Sequence, residues 1–236
     1  MNGRLAEVLK ERIIGLGASG CGFSDLRGMP VLPDPGLPFG VTIILALDPV
    51  VIRGIKKGPN REYHDEYERA NRELTRIGEG AANFIEGQGF RALLLRPTSE
   101  SFDKKTLSVP FPHKTAAISS GMGWIGKCDL LVNEEFGSAF RMCTILTDAL
   151  LADGNRIQSS KCGQCRSCID ACPAGAPTGR DWKPGTHRDE LVDIFACYRF
   201  ARSISDKMGS KHTICGICIE SCPWTRKYIN SRTGDL

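Results

Sequence analysis

Eight cysteines near the end of the chain stand at spacings that suit metal ligation. "KCGQCRSCIDACPAG" (161–175) sets Cys162, Cys165, Cys168 and Cys172 at intervals of three, three and four, with Pro173 directly after the last. "CGICIESCP" adds Cys215, Cys218 and Cys222, again followed by proline, and Cys197 stands alone between the two runs. Thiolates so placed can each take a corner of a [4Fe–4S] cube, and eight of them serve two cubes. Tetrahedral zinc sites normally arrive as two separated pairs, so three close cysteines and a Cys-Pro argue against zinc. Two adjacent cubes make an electron relay, whereas a single metal would suffice to staple a small fold.

The pattern C-x2-C-x2-C-x3-C-P resembles that of bacterial two-cluster ferredoxins, whose fourth cysteine ligates the other cluster. Crossed ligation of that kind assigns Cys162, Cys165, Cys168 and Cys222 to one cluster, and Cys172, Cys197, Cys215 and Cys218 to the second. Cys21, Cys128 and Cys143 are left over. Free cysteines are usually small buried hydrophobes, and Cys21 and Cys143 read that way. Cys128 is less settled, because it closes the glycine-rich stretch "GMGWIGKC".

The elements that must carry these residues divide at about residue 155. The 236 residues, 25% of them charged, can bury a core. A net charge of +4 with no Lys/Arg run lacks the concentrated basic footprint of a dedicated nucleic-acid binder. Eleven cysteines is an odd count, and the N-terminal stretch, interrupted by charges, is no signal peptide. A secreted disulfide framework is therefore a poor reading, "VTIILAL" is too short to span a bilayer, and a cytoplasmic protein is expected.

Leu5, Val8, Leu9, Ile13 and Leu16 fall on one helical face. A strand at 41–47 follows a Pro/Gly-rich loop. Residues 61–86 read as a long helix, with Tyr67, Ala70, Leu74, Ile77, Ala81 and Phe84 at three-or-four spacing and Gly87 and Gly89 ending it. "RALLL" is a strand, a Lys/Ser/Asp-containing loop follows, and "FPHKTAAISSG" is a short helix opening after Pro112. "CDLLVN" and "AFRMCTILT" read as strands joined by "EEFG". Past Lys161 only 187–207 reads as helical for long, and apolar residues are too few there for folding without metal. "GLGASG" (15–20) fits G-x-G-x-x-G, but it follows a helix rather than a strand, so it reads as a helix stop and not a dinucleotide site.

Outside the cysteine runs, "SSGMGWIGKCDLLVNEEFGS" (119–138) is the most informative stretch. Three glycines in six residues let backbone lie flat against something large or make a tight turn around a core Trp. "GWIGK", a strand pair around a "GS" turn, "TDALL" and two cysteine motifs ending in "CPW" together resemble the epoxyqueuosine reductase family. "REYHDEY" resembles that family's Tyr-His segment. The likeness covers nearly the whole chain and is most specific over 121–224.

The resemblance implies an α+β fold: a nitroreductase-like corrinoid-binding domain (1–155) followed by a ferredoxin-like double [4Fe–4S] module (156–236). It implies a cobalamin-dependent iron–sulfur reductase, related to reductive dehalogenases. Tyr63, His64, Gly121, Gly123, Trp124, Ile125, Gly126, Lys127 and Cys128 would line the corrinoid site. No D-x-H-x-x-G segment surrounds any of the four histidines, so the corrinoid would lack a histidine ligand of that class. A low-potential donor of ferredoxin or flavodoxin type would feed the clusters.

Two departures touch the substrate. Family members acting on tRNA carry a proton-donating Asp in an Asp-Ser/Thr-Ala-Pro segment upstream of "GWIGK", where this chain has "VPFPHKTAAISSG". They also continue past "CPW" into a helical-repeat tail that this sequence lacks. His113 is the best remaining proton donor on that segment, with Lys114 and Lys127 as alternatives. The substrate is then a small molecule or a modified tRNA; no membrane or DNA partner is expected. The rival readings are an electron carrier with no substrate of its own, and a reductive activator of a partner's corrinoid protein.

Overall fold

A computed structural model gives the fold over residues 2–98, 102–151 and 154–234. The elements up to the middle of the chain are α1 (Asn2–Gly15), β1 (Gly20–Asp25), β2 (Phe39–Ala46), α2 (Pro49–Arg53), α3 (Arg61–Gly87), β3 (Ala92–Leu95) and α4 (His113–Ser119). Then come β4 (Trp124–Ile125), β5 (Leu131–Val132), β6 (Phe140–Thr147), α5 (Ser167–Asp170), α6 (Ile194–Lys207), α7 (Ile217–Glu220) and α8 (Pro223–Thr233). They form two compact units, each assembled from three segments: Met1–Ala46, Ala70–Met122 and Arg141–Ile157 in the first, Leu47–Arg69, Gly123–Phe140 and Gln158–Leu236 in the second. α3 thus contributes residues 61–69 to the second unit and 70–87 to the first.

The first unit is organised by a four-stranded sheet in the order β1-β2-β6-β3. β1 runs antiparallel to β2, with Phe23 opposite Val41, and β3 antiparallel to β6, with Leu93 opposite Leu146. β2 is buried on both faces, as its unbroken apolar run requires. α1 buries Ala6, Leu9 and Ile13. Val8, expected on that face, is 41% exposed, because the buried stripe runs through Ala6 instead.

α3 starts where the Asn60 side chain accepts the Tyr63 N–H at 2.9 Å, and it ends before Gly89, whose φ is +85°. Leu74, Ile77 and Ile85 are fully buried, each worth about 1.5–3 kcal/mol of transfer free energy. Helix α1 gives way to a loop and then to β1, the order that excludes a dinucleotide fingerprint at 15–20. Of the loop expected after β3, residues 99–101 lie outside the described residues.

The second unit gathers its core from all three segments. Ile52, Ile55, Trp124 and Val132 are buried alongside Ile217, Tyr228 and Ile229. The apolar residues that the stretch after Lys161 lacks are thus supplied from earlier in the chain. β4 pairs with β5 in a small antiparallel hairpin, Trp124 opposite Val132 and Ile125 opposite Leu131. The expected pairing of "CDLLVN" with "AFRMCTILT" is therefore corrected: β5 turns back onto β4, and β6 joins the large sheet. The helix expected from 187 is also shorter. Arg188–Glu190 is a 3₁₀ turn capped by His187, and α6 begins after Asp193, whose carboxylate accepts the Ala196 N–H.

Helix α8 is held at both edges. Tyr228 Oη donates to the Leu47 carbonyl at 2.8 Å, and the Phe136 ring meets Tyr228 edge-on at 5.4 Å. Gly137 has φ +60°, and a side chain there would collide with the Thr225 backbone, so this close approach needs glycine twice over.

Candidate metal centre

All eight motif cysteines, with Cys128, lie in the second unit, and no cysteine is in a disulfide. The two runs build the same device. In the first, the Cys165 N–H donates to the Cys162 carbonyl at 3.0 Å, and the single turn α5 then carries Cys168. In the second, Gly216 (φ +85°) opens the single turn α7, which carries Cys218. α5 and α7 pack against each other. Cys222 then N-caps α8, with Pro223 at the first helical position, where a missing N–H costs nothing. Cys197 comes from the first turn of α6, its N–H on the Asp193 carbonyl.

The thiols of different motifs lie close enough for the charge of one to disfavour that of another. Cys222 lies beside Cys162, and Cys197 lies beside both Cys172 and Cys215. Burial first, and then these neighbours, push the Cys197 thiol up to about 11 and raise that of Cys222. Such thiols are protonated on their own, and bound iron would reverse the balance by stabilising thiolates. The Cys128 thiol is within hydrogen-bonding reach of both Cys168 and Cys218, one cysteine from each motif.

The stretch 123–128 is turned toward these cysteines. The Lys127 ammonium, on a residue only 6% exposed, donates to the Gly163 carbonyl at 2.6 Å and the Cys165 carbonyl at 3.2 Å, with Asp181 at 3.8 Å. It therefore pins the first cysteine loop by charge-assisted hydrogen bonds. A Cβ on Gly126 would sit 3.7 Å from Cys162 Sγ, and one on Gly123 would collide with the Val132 carbonyl. Trp124 packs edge-on against Trp224 at 5.3 Å, under the Lys161 ammonium, and its Nε1 is buried without a hydrogen-bond partner. Ile125 is buried in the hairpin.

These residues fit iron–sulfur clusters: crossed thiol sets, a buried cation and a buried N–H in want of an acceptor. They do not fit an open cradle, since the space beside Gly123 and Gly126 is filled by Val132 and Cys162. Gly121 belongs to the first unit, where a side chain would meet the Asn155 carbonyl. Tyr63 is buried against Gly216, in the second motif. His64 sits beside Asp65, its ring 5.7 Å from that of His212.

His113, the sequence candidate for a proton donor, lies in the first unit and has both ring nitrogens engaged, Nδ1 with Thr144 Oγ1 and Nε2 with the Arg96 carbonyl, each at 3.0 Å. A carbonyl only accepts, so Nε2 holds the proton of the neutral ring. Burial drives the imidazole pKa down to about 4, against an upward pull from the Arg96 carbonyl. At neutral pH the ring has no spare proton, which corrects the expectation. Cys143 is buried as expected, its thiol toward the Leu74 carbonyl at 3.6 Å, while Cys21 is only half-buried. Sequence reasoning missed Glu68 and His212. The i,i+4 spacing of His64 and Glu68 was readable, but nothing in the sequence joins them to His212, well over a hundred residues later.

The 4Fe-4S double cluster binding domain family matches residues 161–225. An epoxyqueuosine reductase of Cyclobacterium marinum is 32% identical over 128 residues, covering 50% of this chain and 38% of the relative. One from a Synechococcus is 28% identical over 191 residues, covering 77% and 52%. The chain thus spans about half the length of these curated relatives, or less. Among solved structures, a catabolic reductive dehalogenase superposes with a TM-score of 0.74 at 20% identity, covering 96% of this chain and 32% of that one. An epoxyqueuosine reductase superposes with a TM-score of 0.64 at 19% identity, covering 96% and 67%. No helix among the described residues is long and apolar enough to cross a membrane. Residues 161–225 thus form a 4Fe–4S double-cluster binding domain, and the chain as a whole is similar in sequence to epoxyqueuosine reductases and in fold to them and to reductive dehalogenases.

Proposed function

We propose that this chain is an iron–sulfur reductase that passes single electrons through two [4Fe–4S] clusters, and that a corrinoid, when bound, would be the group that supplies the substrate-reducing chemistry. The observation that carries the electron-transfer part is the crossed proximity of thiols, Cys222 within electrostatic reach of Cys162, and Cys197 of Cys172 and Cys215, together with the matched double-cluster domain. That arrangement supports one cluster on Cys162, Cys165, Cys168 and Cys222, and another on Cys172, Cys197, Cys215 and Cys218. When bound, the clusters supply one-electron chemistry at potentials tuned by hydrogen bonds and charge. Lys127 holds the first loop in its ligating shape and places a positive charge beside it. Cys128, within reach of one cysteine of each set, supports a short path between them.

The corrinoid rests on resemblance of sequence and fold; one relative of the same fold is described as dehalogenating in a B12-dependent way. No step is assigned to the ring, because the 123–126 glycines face protein. That same packing favours a second reading, an electron-transfer protein that hands electrons to a partner. The substrate is either a small molecule or a tRNA carrying epoxyqueuosine, and a chain of net charge +4 favours the small molecule.

The test is anaerobic purification and reconstitution, followed by iron, sulfide and cobalt analysis and titration with cob(II)alamin. Eight irons per chain and a saturable spectral change support the reductase. Eight irons with no spectral change support the carrier, and stoichiometric zinc in place of iron overturns both. An assay with epoxyqueuosine-containing tRNA then decides between the substrates.

A further inference from the structure

A second group of metal-ligating side chains lies in the second unit, apart from the cysteines. His64 and Glu68 stand one helical turn apart on α3, and His212 approaches them from the loop that leads to Cys215. One ligand atom from each lies within 4.8 Å of the others, and all three side chains are less than a third exposed. His212 Nε2 is 3.2 Å from Glu68 Oε1. Two ligands of a tetrahedral zinc, each bonded at about 2.0–2.1 Å, sit roughly 3.3 Å apart, so this pair already has the required separation.

The surroundings match a metal site as well. His64 Nδ1 lies 3.1 Å from Asp65 Oδ1, which leaves Nε2 as the nitrogen free to ligate. A carboxylate behind a ligating histidine is the usual outer partner, since it fixes the tautomer and raises basicity. The Tyr67 ring covers His212 at 5.0 Å. Glu68 is held ionised, its pKa lowered by hydrogen bonds from His212 and then Lys211. The Lys211 ammonium, 3.3 Å from Glu68 Oε1 on a side chain 77% exposed, can swing into solvent when a cation enters.

We propose that His64, Glu68 and His212 bind one divalent transition-metal ion, zinc by ligand chemistry, with a fourth position open to water. Two imidazoles and a carboxylate are borderline ligands that suit zinc and leave calcium and magnesium poorly served. The ion ties the start of α3 to the loop that precedes the second cysteine motif. The inference does not depend on what the clusters reduce.

The experiment uses cluster-loaded full-length chain under argon, with Zn2+ titrated against a fluorescent chelator and then zinc-edge absorption spectroscopy. One zinc should bind beyond the iron, with nitrogen and oxygen neighbours at about 2.0–2.1 Å and no sulfur shell at about 2.3 Å. His212→Ala should abolish that equivalent while iron content stays unchanged. Asp65→Asn should weaken it by about 10- to 100-fold, as loss of an outer partner does, and Lys211→Ala should leave it intact or tighten it. If His212→Ala loses iron and so fails as a folding control, Glu68→Gln takes its place, because it keeps the shape and loses the anionic ligand. A sulfur shell, no bound zinc, or binding indifferent to both variants would overturn the site.

Discussion

Replacing His113 with glutamine should flatten the acid side of the stability profile of the first unit. The ring's pKa falls from 6.5 to about 4 on folding, chiefly through burial. Between those values the unfolded chain takes up a proton that the folded chain refuses. The contribution is therefore complete above about pH 6.5 and is lost as pH falls toward 4. The limit is about 2.5 pK units at 1.36 kcal/mol each, on the order of 3 kcal/mol. At pH 4.5 about 2.5 kcal/mol of it should be gone, roughly an 80-fold loss of protection.

The assay is hydrogen exchange on the peptide covering α4, whose end is fastened by the Ser120 N–H on the Ala116 carbonyl. It is read at pH 7.5, 6 and 4.5 and corrected for intrinsic exchange. Wild-type protection should fall steeply, and that of His113→Gln, which has no ring to charge, should fall less by about that factor. Parallel curves for the two proteins, or an imidazole titrating near 6.5, would refute the reasoning and return His113 to the list of proton donors.

Lys127→Met strands two carbonyls of the first cysteine loop and should cost about 1–3 kcal/mol for each one left unsatisfied; iron analysis should show preferential loss of the cluster nearest Cys162. Gly123→Ala places a Cβ against the Val132 carbonyl and should lower stability by about 1–3 kcal/mol, read as a reduced thermal midpoint. Gly87→Ala, with open space around it, should stay within about 0.5 kcal/mol of wild type. Cys172→Ser should damage the cluster shared with Cys197 and Cys215 and spare that of Cys162 and Cys222; magnetic resonance of the reduced variant tells them apart, and loss of the Cys162 cluster instead would exclude crossed ligation.

Local pattern was readable and long-range partnership was not. The boundaries of α3 and α4 follow from their own residues, an Asn cap and a helix-stopping glycine in one case and Pro112 in the other, so the sequence announces them. The cysteine spacings state their chemistry because a cube of iron fixes the distances. The β4–β5 hairpin escaped notice because two-residue strands leave no alternation to detect. Gly123 and Gly126 looked like a platform for a ligand, yet a glycine only declares that something comes close, and here it is Val132 and Cys162. His113 drew attention as a lone imidazole on an apt segment; only the positions of Thr144 and the Arg96 carbonyl reveal that it is already satisfied.

The three-segment make-up of the second unit bears on how the protein is synthesised. Residues 47–69 and 123–140 leave the ribosome long before Tyr228, whose hydroxyl the Leu47 carbonyl accepts, and before Thr225, against which Gly137 closes. Until α8 emerges, these stretches have each other, through the Leu47 N–H on the Ala139 carbonyl, but lack the helix that covers them. The thiol set that pairs Cys162 with Cys222 can therefore be completed only after synthesis has passed Cys222, and contacts of such long sequence separation make that step a slow one. Overproduction at a rate that outruns iron supply should then fill the cell with aggregated nascent product, while slower expression at low temperature should recover brown, iron-replete protein.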